Sequence, residues 1–468
     1  MSTIDVHNPY DQKVIKSLTI NSSSDVEAAM SRAHKLVSNR DNWLPAHQRV
    51  EIFERVIEIM SEQIEELTQL AASEGGKPYM DSKVEVLRAI NGVKLAIEHI
   101  PQIKGEQIAM GHTASSANRI AYTQREPIGV VCSVSAFNHP LNLIVHQTIP
   151  ALAVGCPVLI KPAALTPLSC FRFVEILQQA GLPEGWCTAL LTSREDSEKM
   201  VCDERVNFFS FIGSAKVGWM LQSKLSAGTR SALEHGGAAP VIVDQSMMQD
   251  ESDADDMLES LAKGGFYHAG QVCVSVQRVY VQESVARDFA QRLAEKASKL
   301  IVGDQLNPKT EVGPLITPKE VDRVATWVEE AKQSGGEILS GGERISDTCY
   351  APTVILDPAE DAKVSQFEVF GPVVCVYSYS DKADAIARAN GLPLAFQASV
   401  FTKLLDDALD TSNRLNATAV MINDHTAFRV DWMPFGGRDA SGIGMGGIPY
   451  SMHEMTREKM LVIKSKVL

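Results

Sequence analysis

The middle of the chain alternates short apolar runs with amphipathic stretches, and this alternation limits the possible folds more than any other feature. Apolar runs typical of buried strands lie at 129–134, 158–160, 186–192 and 206–212. A helical pattern covers 168–180, and another helix is expected to begin at Gly213-Ser214. Because strands that alternate with helices usually pair in parallel, this segment predicts a doubly wound parallel sheet.

Two further regions extend the α/β pattern. Apolar residues recur at helical spacing over 46–70 and stop at Gly75-Gly76, and a second helix is expected over 80–100. Beyond Pro240, a second α/β stretch reaches about Thr411. Its expected strands and helices lie near 278–281, 288–300, 319–334, 373–379 and 399–401. We therefore expect two doubly wound α/β units.

A polar, β-tending stretch at 113–127 and an alternating tail from Glu458 do not fit either unit. The first suits an exposed hairpin and the second a strand. Isolated strands are marginally stable, so we expect these two to pair with each other or with a neighbouring subunit.

The bulk properties exclude several classes of protein. A chain of 468 residues exceeds one compact core. A formal charge of −14 and a pI near 5.3 do not favour nucleic acid as a partner. No signal-peptide pattern is visible in 1–10, and polar residues and prolines interrupt the apolar stretch 144–160, so no membrane partner is expected. Eight scattered cysteines without a CxxC pair predict reduced thiols in a cytoplasmic protein. No metal site is predicted.

Three polar residues stand in contexts that could serve chemistry. Cys273 follows a glycine-bounded turn, and it is either a structural core thiol or a reactive one. Glu234 lies in an apolar stretch just before two glycines, as a paired structural carboxylate or as a base. Asn138 directly follows a buried strand, where it is either a turn residue or a donor to an oxyanion.

These residues belong to a series of blocks that resembles the aldehyde dehydrogenase superfamily over nearly the whole chain and in the family's order. The blocks begin at Arg125-Glu126-Pro127, Phe137-Asn138, Lys161-Pro162, Phe211-Ile212-Gly213-Ser214, Leu233-Glu234, Gly270-Gln271-Val272-Cys273, Glu368-Val369-Phe370-Gly371-Pro372 and Pro434-Phe435-Gly436-Gly437. The resemblance implies that the Cys273 thiolate attacks an aldehyde and that Asn138 and the Cys273 backbone N–H hold the oxyanion. It also implies that Glu234 activates the water that hydrolyses the thioester.

The resemblance further implies NAD or NADP as the cofactor, although no GxGxxG follows any expected strand. Lys161 would contact the adenosine ribose and Glu368 the nicotinamide ribose. Without the flanking motifs, either residue would be interpreted as a charged side chain exposed to solvent. Gly213 and Ser214 would lie under the pyrophosphate, and Phe370 would flank the nicotinamide. Many NAD-preferring members carry a glutamate where this chain has Ala164, so the choice between NAD and NADP stays open.

Two arginines and a histidine point to the branch that contains lactaldehyde, phosphonoacetaldehyde and non-phosphorylating glyceraldehyde-3-phosphate dehydrogenases. Arg88 and Arg429 match two of the three arginines that grip an anionic substrate there, while Val272 replaces the third. The alternative for Arg88 is a helix-surface residue paired with Glu85. His139 is either a pocket wall or an anion contact. The expected substrate is a small polar or anionic aldehyde.

The resemblance implies an aldehyde-dehydrogenase-like α/β fold in three parts. These are a cofactor-binding domain (1–105 and 125–236), a catalytic domain (237–440) and a small β oligomerisation element (106–124 and 441–468). A homodimer or homotetramer is expected.

The alternative functions are a coenzyme-A-acylating or phosphorylating dehydrogenase, a Cys-dependent acyl hydrolase such as a thioesterase or amidase, and an inactive scaffold. Glu234 favours a free acid product over a coenzyme A ester.

Overall fold

The chain begins with a β-hairpin and four helices. A computed structural model describes residues 2–468. The first elements are β1 (Thr3–His7), β2 (Val14–Thr19), α1 (Ser23–Ser38), α2 (Ala46–Glu62), α3 (Ile64–Gly75) and α4 (Tyr79–His99). The single helix predicted over 46–70 is wrong, because Gln63 leaves the helical conformation at φ −112° and ψ 19° and separates α2 from α3. The predicted end holds, since Gly76 closes α3 in the left-handed conformation at φ 75°.

The next elements form the first large sheet. They are β3 (Gln107–Ile108), β4 (Arg119–Pro127), β5 (Val130–Val134), α5 (Asn142–Val154), β6 (Val158–Lys161), α6 (Leu168–Gln179), β7 (Cys187–Ala189), α7 (Arg194–Val201), β8 (Val206–Ile212), α8 (Ala215–Gln222) and β9 (Arg230–Glu234). Strands β9, β8, β5, β6 and β7 lie side by side in that order and are parallel. Apolar residues of α2, α4, α5 and α6 cover one face, and those of α1, α7 and α8 cover the other. The predicted doubly wound sheet is confirmed.

The second sheet follows β9. Its elements are β10 (Ala239–Val243), α9 (Glu251–Phe266), β11 (Val276–Gln282), α10 (Glu283–Lys299), α11 (Pro318–Gln333), β12 (Glu337–Ser340), β13 (Thr353–Leu356), α12 (Lys363–Gln366), β14 (Val373–Tyr379), α13 (Lys382–Ala389), β15 (Leu394–Ala395), β16 (Gln397–Phe401), α14 (Leu405–Arg414) and β17 (Ala419–Ile422). The sheet order is β12-β13-β14-β11-β10-β16-β17, and only the edge strand β12 is antiparallel to its neighbour. One continuous apolar core joins this sheet to its helices.

The chain ends with β18 (Arg438–Asp439), β19 (Gly442–Ile443), α15 (Ile448–Glu454) and β20 (Thr456–Lys464). The tail strand β20 pairs with β4 from Thr456 opposite Pro127 to Lys464 opposite Arg119, which confirms the expected pairing of tail and hairpin. By contrast, β19 pairs with β9, and α15 packs into the core of the first sheet. Only β20 of the tail therefore belongs to the small sheet, and the domain division given above stays a prediction.

Three further observations bear on the predicted class of protein. Among residues 2–468, no helix is both long and apolar enough to cross a membrane. All eight cysteines are free. Within the same described range, no group of three or more His, Cys, Asp or Glu side chains is placed to hold a metal ion.

Candidate active site

A cleft of about 710 Å³ lies where the carboxyl ends of β5, β8 and β9 face loops of the second unit. This is the edge at which open α/β sheets bind ligands. Most of the predicted site residues line this cleft: Arg88, Asn138, His139, Gly213, Ser214, Glu234, Cys273, Glu368, Phe370 and Arg429. Lys161 is not among the lining residues. The sequence blocks, far apart along the chain, therefore converge on one space.

A strained turn presents Cys273 to the cleft. After α9 the chain makes a short 3₁₀ turn in which His268, Ala269 and Gly270 have φ of 49°, 53° and 69°. At Gly270 a Cβ atom would lie 2.0 Å from the Gly371 carbonyl oxygen, so only glycine fits there. The Gly237 N–H then donates to the Cys273 carbonyl oxygen at 3.2 Å and ties the turn to the end of β9. Successive left-handed residues cost free energy, and they concentrate at functional sites.

The Cys273 thiol is protonated in the resting cleft. Burial raises its pKa to about 12, and the nearby Glu368 and Glu234 carboxylates add to this effect, whereas Arg429 opposes it. Thiols react as thiolates, so this thiol would have to lose its proton before it could act as a nucleophile.

Glu234 ends β9 and faces the same cleft. Burial raises the pKa of its carboxyl group to about 7, and the positive charge of Arg429 opposes the shift. A Cβ atom on Gly446 would lie 2.1 Å from Glu234 Oε1, so the glycine-rich segment makes room for this side chain. A carboxyl group with a pKa near neutrality suits general-base chemistry.

Asn138 is held against the turn that carries the thiol. Its side-chain Nδ2 donates to the Gln271 carbonyl oxygen at 2.9 Å and keeps a second proton for another acceptor. The Gln271 side chain in turn donates to the carbonyl oxygens of His268 and Pro314 and accepts from the Ile316 N–H. The loop after β5 and the turn before Cys273 are therefore fixed to each other.

The opposite end of the cleft has the features of a dinucleotide site. The Glu368 carboxyl group lies against Gly236, where a Cβ atom would come within 1.7 Å of Glu368 Oε1. Burial raises the pKa of Glu368 to about 8, and Oε1 has no hydrogen-bond partner in the described chain. The hydroxyl of a ribose would supply the missing donor. The residues fit NAD(P), because Gly213 and Ser214 at the start of α8 also line this end.

Lys161 lies just outside this end of the cleft, at the last position of β6. Burial lowers the pKa of its ammonium group, and repulsion from Arg194 adds to this effect. Arg194 itself lines the cleft. A pair of neighbouring cations therefore flanks this end, and sequence reasoning identified only one of them.

We call the part of the cleft lined by Arg88, His139 and Arg429 the substrate end. It contains an ion-pair network that the sequence did not suggest. Arg88 donates to both carboxylate oxygens of Asp431, at 2.7 and 3.1 Å, and His146 Nε2 lies 2.8 Å from the same carboxylate. Burial alone would raise the pKa of Asp431, but the contacts with His146 and Arg88 lower it well below its usual range. The expected alternative pairing of Arg88 with Glu85 is wrong, because Glu85 is bound to Lys77.

Arg429 is the cation with unfilled donors. Its guanidinium carbon lies 3.6 Å from the centroid of the Phe435 ring, and one terminal nitrogen is 3.4 Å from His146 Nδ1. Its Nε has no partner among residues 2–468. Arg429 lines the cleft together with Cys273 and Glu234, so it places positive charge beside the thiol and the carboxyl group.

His139 also lines this end of the cleft, and Lys77 contacts its ring from the buried side. Lys77, which is fully buried, places its ammonium nitrogen 2.5 Å from His139 Nδ1 and 2.6 Å from Glu85 Oε2. The other Glu85 oxygen accepts the Leu141 and Asn142 N–H groups at the start of α5. The histidine is therefore part of a buried polar cluster.

Comparisons with known proteins agree with this geometry. The model of the aldehyde dehydrogenase family matches residues 1–461. The chain belongs to the aldehyde dehydrogenase family. It is 34% identical over 462 residues to a 3-sulfolactaldehyde dehydrogenase of Priestia megaterium, covering 98% of this chain and 94% of that one. A lactaldehyde dehydrogenase of Methanocaldococcus jannaschii is 35% identical over 466 residues, covering 98% and 97%.

A solved structure shares the whole fold. The glyceraldehyde-3-phosphate dehydrogenase GapN of M. jannaschii, complexed with NADP, superposes with a TM-score of 0.92 at 34% identity and covers 99% of both chains. The predicted family, the α/β fold and an NAD(P)-dependent aldehyde dehydrogenase activity are thereby confirmed. The roles of the individual site residues stay predictions.

Sequence reasoning missed the side chains that support the aldehyde dehydrogenase site. Four of them, Lys77, Glu85, His146 and Asp431, lie outside the sequence blocks. The fifth, Gln271, lies inside the block before Cys273, but the block does not reveal that its side chain fixes the turn. The one available signal was Asp431, an acidic residue two positions after Arg429. The others are ordinary polar residues until the fold joins them.

Proposed function

We propose that the enzyme oxidises a small polar or anionic aldehyde to the free carboxylic acid through a thioester on Cys273. The observation that carries this proposal is that Cys273 and Glu234 open into one cleft, with Arg429 facing both. A nucleophile, a base and a cation around one space satisfy the needs of a two-step acyl mechanism.

The first step is attack of the Cys273 sulfur on the aldehyde carbon. As the S–C bond forms, the S–H bond breaks and its proton passes to solvent water in the open cleft, while the developing negative charge on the aldehyde oxygen needs hydrogen-bond donors. The second proton of Asn138 Nδ2 and the Cys273 backbone N–H are the donors we assign to this oxyanion. The nicotinamide of NAD(P), when bound, supplies the hydride acceptor, so that the hemithioacetal collapses to a thioester.

The second step is hydrolysis of that thioester. With a pKa near 7, the Glu234 carboxyl group is substantially ionised at neutral pH and can take a proton from a water molecule. Water then attacks the thioester carbon and the thiol leaves. The product is a carboxylic acid, which separates this proposal from transfer to coenzyme A.

The substrate end favours an aldehyde with oxygen atoms beyond the carbonyl. Arg429 offers a guanidinium with an unfilled Nε, while Asp431 neutralises Arg88. We therefore assign the anion contact to Arg429 and a supporting role to Arg88. Relatives named for sulfolactaldehyde and lactaldehyde agree with a substrate of this kind.

The cofactor end is compatible with NADP. Ala164 provides no carboxylate to repel a 2′-phosphate. The two cations Lys161 and Arg194 lie at the cofactor end of the cleft. The enzyme is accordingly expected to turn over with NADP as well as with NAD.

We also propose a cytoplasmic homo-oligomer. The eight free cysteines support a reducing location. The exposed side chains of Met460, Leu461, Val462 and Ile463 on β20 support burial of the small sheet against another subunit. Light scattering of the purified enzyme would report a dimer or tetramer, and a monomer would contradict this part of the proposal.

The test is reduced-nucleotide formation from sulfolactaldehyde, lactaldehyde and propanal with NAD or NADP. Cys273→Ala should abolish turnover, whereas the matched control Cys202→Ala, which alters a half-buried cysteine outside the cleft, should retain it. Formation of a carboxylic acid is expected. Accumulation of an acyl coenzyme A ester when coenzyme A is added, or turnover by Cys273→Ala, would overturn the proposal.

A further inference from the structure

His139 lies between a buried lysine and the open cleft. Lys77 is fully buried, and Glu85 orients its ammonium group towards His139 Nδ1. Glu85 is itself fixed by the two N–H groups that begin α5. The contact between Lys77 and the ring is therefore built into the fold.

This contact determines which nitrogen of the ring carries the proton. Burial lowers the pKa of Lys77, but the Glu85 carboxylate at 2.6 Å opposes this effect and favours the ammonium form. An ammonium group only donates hydrogen bonds, so Nδ1 accepts and the proton of a neutral ring lies on Nε2. Burial lowers the pKa of His139 well below its usual range, and repulsion from Lys77, His268, Arg88 and Arg429 adds to this effect. The ring stays neutral at physiological pH.

The Nε2–H group has no acceptor in the part of the chain that the structure describes. Within residues 2–468 the only hydrogen bond of the His139 ring is that to Lys77, and the side chain borders the cleft. Asn138, the preceding residue, is assigned to the carbonyl oxygen of the substrate. The donor on His139 is thus available to a second oxygen close to the aldehyde group.

We propose that Lys77 is a positioning residue that holds His139 as the Nε2–H tautomer, so that the ring donates one hydrogen bond to an acceptor oxygen on the carbon next to the aldehyde. The inference rests on the proposed function. It assigns His139 to a hydroxyl or similar oxygen, and it leaves the recognition of negative charge to Arg429.

The test compares lactaldehyde with propanal, which lacks the second oxygen. His139→Phe should lower kcat/KM for lactaldehyde about tenfold more than for propanal, the size of one hydrogen bond. Lys77→Met should cause a similar loss of discrimination, mainly through KM. In the Lys77→Met/His139→Phe double variant the second change should add nothing further. Equal losses for both aldehydes, or additive losses, would give Lys77 a purely structural role and overturn the proposal.

Lys77→Met leaves Glu85 buried without its partner, so a second variant guards against misfolding. Lys77→Met/Glu85→Gln removes the buried charge and keeps an oxygen for the two N–H groups of α5. It should lose the same discrimination.

The pH dependence gives a readout that a structural role would not move. The charged or titratable groups facing His139 are Lys77, Glu85, Arg88, Tyr267, His268 and Arg429. Removing Lys77 takes away one repelling charge and raises the pKa of the ring. In Lys77→Met, discrimination should therefore recover at acid pH, where the imidazolium again carries a proton on Nε2. Discrimination by the original enzyme should stay constant between pH 6 and pH 8.

Nitrogen NMR of protein labelled with ¹⁵N-histidine tests the tautomer without activity, with His139→Phe assigning the signals. One protonated and one acceptor-type nitrogen are expected for His139, and Lys77→Met should change this pattern. Two protonated nitrogens, or an unchanged pattern in Lys77→Met, would overturn the inference. Failure of every aldehyde to react would instead overturn the proposed function.

Discussion

Glu234, half-buried at the cleft, and Asp431, fully buried behind it, are two carboxyl groups whose charges both act on Arg429, yet their surroundings differ in kind. No hydrogen bond in the described part of the chain reaches the Glu234 carboxyl group, and burial raises its pKa to about 7. Asp431 accepts hydrogen bonds from Arg88 and His146, and its pKa lies far below the usual range despite burial. The number of donors, not the residue type, separates a group that can exchange protons from one that holds a fixed charge.

The largest expected effect concerns the reactive member of this pair. Glu234→Gln should lower steady-state turnover by about 10³-fold, because a positioned base contributes roughly 10²–10⁴ to such a step. Mass spectrometry should then find the acyl group on Cys273. Unchanged turnover in Glu234→Gln would show that another group activates the water. The contrast between Glu234 and Asp431 would then no longer identify the group that exchanges protons in catalysis.

The second effect separates the two arginines of the substrate end. Arg429→Met should lower kcat/KM for sulfolactaldehyde about tenfold to a hundredfold more than for propanal, since its donors are unfilled. Arg88→Met/Asp431→Asn is the matched control, because it removes a guanidinium together with the carboxylate that neutralises it. It should change this ratio only about twofold. A larger effect at Arg88 than at Arg429 would contradict our assignment of the anion contact.

These contrasts show which features of the fold and of the site could be predicted from the sequence. The alternation of strands and helices predicted both large sheets, and the blocks around Asn138, Glu234 and Cys273 predicted which residues share a cleft. Such blocks lie on neighbouring strand ends and loops. The break at Gln63 escaped prediction because the apolar spacing of α2 continues into α3.

The supporting contacts escaped for a different reason. Arg88 and Asp431 are 343 positions apart, and only the packing of α4 against the loop before β18 brings them together. Lys77 and Glu85 are close in sequence, but their spacing does not reveal that both side chains are buried. Pairing of this kind depends on tertiary structure, and neither periodicity nor motif records it.

The third effect concerns folding stability, for which Asp431 is expected to matter more than Glu234. Asp431→Asn should destabilise the fold by about 2–3 kcal/mol, because it leaves Arg88 without a counter-charge and weakens the hydrogen bond of the neutral His146. Glu234→Gln should leave stability unchanged or raise it, since it removes a poorly hydrated carboxyl group that accepts no hydrogen bond in the described part of the chain. Thermal unfolding of both variants at pH 8 measures the difference. A greater loss in Glu234→Gln would mean that Glu234 is a structural carboxylate after all.

The smallest effect is the pH dependence of that stability. The folded pKa of Glu234, about 7, exceeds the ordinary value of 4.5, so the folded state binds its proton more tightly than the unfolded chain does. This contribution to stability is fully present below pH 4.5 and is lost as the pH rises through 7. Thioester hydrolysis requires the ionised form and should rise over the same window. The melting temperature of Glu234→Gln minus that of the original enzyme should therefore increase from pH 5 to pH 8, while hydrolysis by the original enzyme accelerates. Since Glu368 titrates in both proteins, the subtraction isolates Glu234. A difference that stays constant with pH would show that folding does not raise the pKa of Glu234.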